Sequence, residues 1–188
     1  MDTPSAPTQP TLPLRPMGHA EERSLALPRV SIVEVARRFT GTTQGRYHVR
    51  GLLAYRETLG LLGLTSGFQW LMGPPSPDGG RAARRPAQAT DVDVVTFCHR
   101  PPHAASDAAW RQFVDFNEPL LDPTRTWAGF GCRSYLVDLD QTPTAVVTHA
   151  RFWSDVLARQ CLERGSELME AALTMADDEV AARLVPWS

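Results

Sequence analysis

Residues 89–100 read "ATDVDVVTFCHR": two aspartates, one residue apart, open an apolar and β-branched run. The alternation predicts a strand over "DVDVVTF" (91–97), with Asp91, Asp93, Val95 and Phe97 facing one way and Val92, Val94 and Thr96 the other. The aspartates then share a side, roughly 6–7 Å apart along the rise, close enough for one divalent cation to sit between them. Polar residues also lead into buried strands, so the pair has two readings: half of a metal site, or a solvated strand end.

Working outward, "FQWLM" (68–72) lies between Gly67 and Gly73 and predicts an earlier strand. "SIVEVARRF" (31–39) predicts a short helix, since Ser31 and Glu34 have capping-box spacing and Ile32, Val35, Ala36 and Phe39 make one stripe. "RYHVRGLLAYRETLGLLG" (46–63) predicts a longer helix, weakened at Gly51 and Gly60 by about 1 kcal/mol each relative to alanine. Between the two strands runs "GPPSPDGGRAARRPAQAT" (73–90), longer than the usual connection in a compact domain.

Downstream, "SDAAWRQFVDFNEPLL" (106–121) predicts a helix capped by Ser106. "CRSYLVDLD" (132–140) predicts a third strand, with Leu136, Asp138 and Asp140 on one face and Tyr135, Val137 and Leu139 on the other. The last third is expected to be helical. Val146, Ala150, Trp153, Leu157 and Cys161 form one stripe and, after Gly165, Leu168, Ala172 and Met175 form another. Alternating strands and helices indicate an α+β or α/β domain.

Composition bounds the partners. The chain has 188 residues, 43% hydrophobic, which suits one domain, and a net charge of −2, which gives no global basic field toward nucleic acid or membrane. No apolar run reaches 18 residues, so no membrane partner is expected. Six of the 16 prolines fall in residues 1–28, which are expected to form a disordered tail ahead of a domain over 29–188. Three cysteines without paired spacing suggest reduced thiols and a cytoplasmic location. Cys98, His99, His103 and Cys132 lack the paired spacing of a zinc site.

A strand ending in glycine, a loop, D-x-D opening a second strand, a helix and then a strand with aspartate resembles the nucleotidyltransferase superfamily that includes DNA polymerase β. From Ser31 to about Trp153 the chain is similar to a family of small bacterial nucleotidyltransferase-like proteins, with "GFQWL" and "DVDVVTF" the most specific pieces. The resemblance implies an α+β fold, a mixed sheet flanked by helices. It implies Asp91 and Asp93 as the pair binding Mg²⁺ or Mn²⁺, Asp138 as a third carboxylate assisting the attacking hydroxyl, and Gly73 as the glycine of a glycine-serine phosphate grip. The activity implied is metal-dependent transfer of an NMP from a nucleoside triphosphate to a hydroxyl on RNA, protein or a small molecule.

The grip itself departs from that pattern. Where the family reads roughly L-D-G-S-F, this chain reads Leu71-Met72-Gly73-Pro74-Pro75, and Pro74 supplies neither a hydroxyl nor a backbone N–H. Arg81, Arg84 and Arg85 in the following loop could hold a triphosphate or an RNA backbone instead, or simply be solvated. The alternative function is therefore a catalytically degenerate nucleotidyltransferase fold that binds a protein partner. Small members of the superfamily act in toxin–antitoxin or phage-defence modules.

Overall fold

Ser31 caps the first helix as its spacing predicts: its Oγ accepts from the Glu34 N–H, and α1 (Ile32–Phe39) follows. The computed structural model describes residues 27–75 and 92–185. The proline-rich tail over 1–26, the loop arginines Arg81, Arg84 and Arg85, and Asp91 lie outside these residues. Helix α2 (Thr43–Leu61) starts three residues before the predicted "RYHV", because Thr42 accepts from the Gly45 N–H and caps it there. Gly51 is required rather than merely tolerated: a Cβ on it would stand 1.6 Å from the Phe130 carbonyl oxygen.

The strands are β1 (Arg29–Val30), β2 (Gly67–Pro75), β3 (Val92–Cys98), β4 (Cys132–Asp138) and β5 (Ser166–Ala172), in sheet order β1-β5-β2-β3-β4. β2 runs antiparallel to both β3 and β5, while β3–β4 and β1–β5 are parallel. The parallel return from β3 to β4 passes through α3 (Asp107–Phe116), α4 (Glu118–Leu121) and α5 (Pro123–Phe130). The predicted single helix over 106–121 thus breaks at Asn117, two residues before Pro119. After β4 come α6 (Pro143–Arg164), β5 and α7 (Asp178–Arg183).

β5 corrects the expected helical stripe after Gly165. Gly165 takes the left-handed conformation (φ 66°) and ends α6, and the chain then enters the gap between β1 and β2. There Met169 and Ala171 join one core and Leu168 the other. Ladder bonds and burial on both faces override the helix propensity of "SELMEAA".

The sheet has a different cover on each side. One face, with Leu71, Val92, Val94, Cys98 and Cys132, packs under α1, α2 and α3 through Val35, Phe39, Leu52, Leu59, Trp110 and Phe113. The other, with Val95, Phe97, Val137, Phe68, Trp70 and Tyr135, packs under α6 through Leu157, Trp153 and Ala150. Helix α2 is pinned by Arg56, whose side chain is fully buried. Its guanidinium donates to both Asp178 oxygens (2.8 and 2.9 Å), to Gln69 Oε1 (2.7 Å) and to the Thr174 carbonyl (2.6 Å). Among the described residues no helix is long and apolar enough to cross a membrane.

Candidate functional site

Asp93, the second residue of β3, is only 3% exposed. The alternation that directs Val95 and Phe97 under α6 directs Asp93 to the same face. In the parallel register its neighbour on β4 is Arg133, and its neighbour from above is Arg164 in the last turn of α6, with Nη1 3.5 Å from Asp93 Oδ2. On the other flank β2 pairs Leu71 with Val94, so Met72 and Gly73 run alongside. Burial, and after it the Asp93 charge, raises the pKa of the Tyr135 phenol on the same face. Burial first and then Asp93 also push the Cys132 thiol up to about 12.

Gly73 lies where the β2–β5 ladder shifts register, between Met72 and Pro75. A Cβ here would meet Met169 Cε at 3.0 Å and the Glu167 carbonyl oxygen at 3.2 Å, so close packing on β5 by itself favours glycine. Across the register shift, Pro75 pairs with Ser166, the first residue of β5. Above that pair ends α6, with Gln160 and Arg164 one turn apart on one face of the helix. Gln160 Oε1, Arg164 Nη1 and Ser166 Oγ are all buried atoms with no hydrogen-bond partner among the described residues.

Asp138 does not join this group. It pairs with Cys98, five residues further along β3 than Asp93, or roughly 16 Å at about 3.3 Å per residue. It also alternates with Leu136 and Ser134 toward the α2 face, whereas Asp93 points under α6. The expected convergence of Asp93 and Asp138 on one ion or hydroxyl is therefore not met, because the parallel return carries Asp138 to the opposite end and face of the sheet.

At that far end Asp138 has its own partners. Arg100 donates to Asp138 Oδ2 from Nε (2.8 Å) with Nη2 at 2.7 Å, and it also donates to Asp107 (2.7 Å) while lying over the Trp110 ring. The Asp140 N–H donates to Asp138 Oδ1 (2.9 Å). Asp140 in turn meets His99 Nδ1 at 2.7 Å and accepts from the Arg100 N–H at 2.8 Å. These are the contacts of a structural clasp that ties the end of β3 to the end of β4.

A divalent cation needs several hard oxygen ligands in one place. Around Asp93 the described residues offer one carboxylate flanked by two arginines, which does not fit such an ion; Asp91 lies outside the described residues. Among the described residues no three His, Cys, Asp or Glu side chains converge as a metal cluster. Cys98, Cys132 and Cys161 are buried, and burial above all raises their thiols, to about 12, 12 and 11.

Sequence reasoning singled out Asp93 but did not bring Arg133, Gln160, Arg164 or Ser166 to the same end of the sheet. The one available signal was Gly165, whose helix-ending role brings the last turn of α6 over the start of β5. The chain belongs to DUF6932, a family of unknown function, whose pattern covers residues 25–166, from just before β1 through α6 to Ser166. No curated protein and no solved structure matches it.

Proposed function

We propose that this chain is a catalytically degenerate domain of the nucleotidyltransferase type, working by binding rather than by NMP transfer. The observation that carries this reading is the separation of Asp93 from Asp138. Transfer through two metals needs carboxylates gathered around the attacking and leaving oxygens. Here the residue facing Asp93 across the register is Arg133, and Asp138 is engaged by Arg100. Pro74 removes a further pair of phosphate donors. The fold type is supported by the antiparallel β2–β3 pair, the helical return to a parallel β4, and a D-x-D sequence at the start of β3. Val147, Phe152 and Leu162, exposed along α6, support a protein partner beside that helix, and the unpaired thiols support a cytoplasmic setting.

The second reading is an active enzyme that binds a nucleoside triphosphate with Mg²⁺ or Mn²⁺ through Asp91 and Asp93 and modifies a hydroxyl of RNA, protein or a small molecule. It is favoured by the position of Asp93, at a strand end beside Gly73. The two separate in a labelling assay with the four α-labelled triphosphates, Mn²⁺, RNA and the protein itself. The binding reading expects no label above an Asp93→Asn control. Labelling that disappears with Asp93→Asn would establish the enzyme and sink the degenerate reading.

A further inference from the structure

Helix α2 carries three glycines, and packing explains two of them. A Cβ on Gly45 or Gly51 would stand 1.9 or 1.6 Å from the carbonyl oxygen of Phe39 or Phe130. Gly60, the penultimate residue of α2, is different. Its backbone is not left-handed, and a Cβ there would meet nothing closer than Met175 Cγ at 3.5 Å, an ordinary contact. Glycine weakens a helix relative to alanine, so the fold itself gives no reason for this one. What its missing side chain leaves is space. Gly60 lines a cleft of about 570 Å³ between the outer face of α2 and α7. α7 runs back along α2: Arg56 holds Asp178 at its start, and Arg50 Nε donates to the Val185 carbonyl (3.0 Å) just past its end.

The cleft has apolar walls with charge at the rim. Leu53, Ala54, Met175, Ala182 and Val185 line it with Gly60, and Leu61 stands 84% exposed at its edge. Its volume falls in the range of roughly 300–1,000 Å³ that small-molecule clefts occupy. Of the charged residues in the wall, Arg50 and Asp178 are engaged within the fold. Glu57 of α2 and Glu179 of α7 are exposed and have no ion pair or hydrogen bond among the described residues. The charge left to a ligand is therefore negative on both walls, above a floor that includes the buried Leu53 and Val185. An anion would be repelled there, and a neutral molecule would gain nothing from the two carboxylates. We propose that the α2–α7 cleft binds a small organic cation, an amine whose apolar body lies against Gly60 and Met175 while Glu57 and Glu179 meet its ammonium. This site is separate from Asp93, which lies on the α6 side of the sheet, and it holds whether or not the chain transfers nucleotides.

The test is calorimetric titration of the full chain with 4-phenylbutylamine, 4-phenylbutanol and 4-phenylbutanoate, which share a body and differ in the charge of the head. The variants are Glu57→Gln/Glu179→Gln, Gly60→Leu and Ala182→Leu, with a thermal melt of each. The amine is expected to bind wild type about tenfold tighter than the alcohol, as for a charge-assisted hydrogen bond, and the carboxylate not measurably. The double variant should erase the preference for amine over alcohol. Gly60→Leu and Ala182→Leu fill the cleft from opposite walls, and each should weaken the amine about tenfold or more. Gly60→Leu should also raise the thermal midpoint by about 2–4 °C, since leucine suits a helix and no part of the described fold occupies the cleft. No amine binding by wild type, a carboxylate that binds as well as the amine, or a preference retained in the double variant would overturn the proposal. So would amine binding unchanged in a folded Gly60→Leu or Ala182→Leu. If both filling variants melt well below wild type, the chain itself fills the cleft and the proposal falls. A second copy as the occupant would appear as a concentration-dependent dimer that Ala182→Leu dissociates, with no amine bound, and would overturn it equally.

Discussion

The β3–β4 pair carries one buried aspartate at each end, and the two are served in opposite ways. Asp138, at the exit end, meets two guanidinium nitrogens and a backbone N–H within 2.9 Å. Asp93, at the entry end, has Arg133 beside it in the parallel register and Arg164 of α6 at 3.5 Å. Both are at most 4% exposed, so burial does not separate them. The difference lies in the arginine: Arg100 grips Asp138 with a short fork from a buried side chain, whereas Arg164 faces Asp93 at a longer distance from a partly exposed one.

That contrast is broken most forcefully at the closed end. Asp138→Ala removes the buried partner of Arg100, whose side chain is itself only 7% exposed. Arg100 keeps only the exposed Asp107 carboxylate, and in a chain of this size the loss of its buried partner should lower the thermal midpoint by roughly 5–10 °C. A melt close to wild type would mean that Asp138 does not clasp the two strand ends.

At the open end the same type of change should do little to stability. Asp93→Asn leaves Arg164, 30% exposed, free to turn toward solvent, and the midpoint should move by no more than about 2 °C. If Asp93→Asn instead destabilises as strongly as Asp138→Ala, the two ends are alike. Pro74→Ser sharpens the comparison from the other side. It restores a hydroxyl and an N–H to the residue after Gly73, near the end of β2, and should still give no label in the transfer assay, since Asp138 stays on the other face.

How much of this was legible in the sequence follows from what each feature depends on. Strand alternation is local, so the faces of Asp93, Val95 and Phe97, and those of Leu136 and Asp138, could be read directly. Register between strands is not local. "YLVDLD" shows an aspartate late in a strand, but only the parallel pairing of Val92 with Cys132 shows that late means far from Asp93. β5 was hidden for a related reason. Leu168, Ala172 and Met175 fit a helical stripe, and only the gap between β1 and β2 makes Leu168 and Ala172 part of a strand that ends before Met175. Arg56, Gln160 and Arg164 are single polar residues within long helices, with no motif around them to show which were buried.

The smallest effect is expected from pH, again at the closed end. The hydrogen bond from His99, and after it the Arg100 N–H, hold the Asp140 carboxyl below the usual aspartate range. A carboxyl depressed on folding stabilises the protein above its unfolded pKa, near 4, and loses that contribution as pH falls through its folded value. Asp140 and His99 are both well exposed, so the gain is screened and small. Asp140→Asn should therefore melt about 1–2 °C below wild type at pH 7, and the gap should close as pH falls well below 4. Asp140 also accepts the Arg100 N–H, so part of any gap measures the placement of Arg100 rather than charge. His99→Ala separates the two: it removes the imidazole contact and leaves the Arg100 N–H bond, so it should show the pH-dependent part of the gap alone. A gap in Asp140→Asn that persists unchanged into acid would show that Asp140 acts only by shape, as an acceptor that positions Arg100 for Asp138.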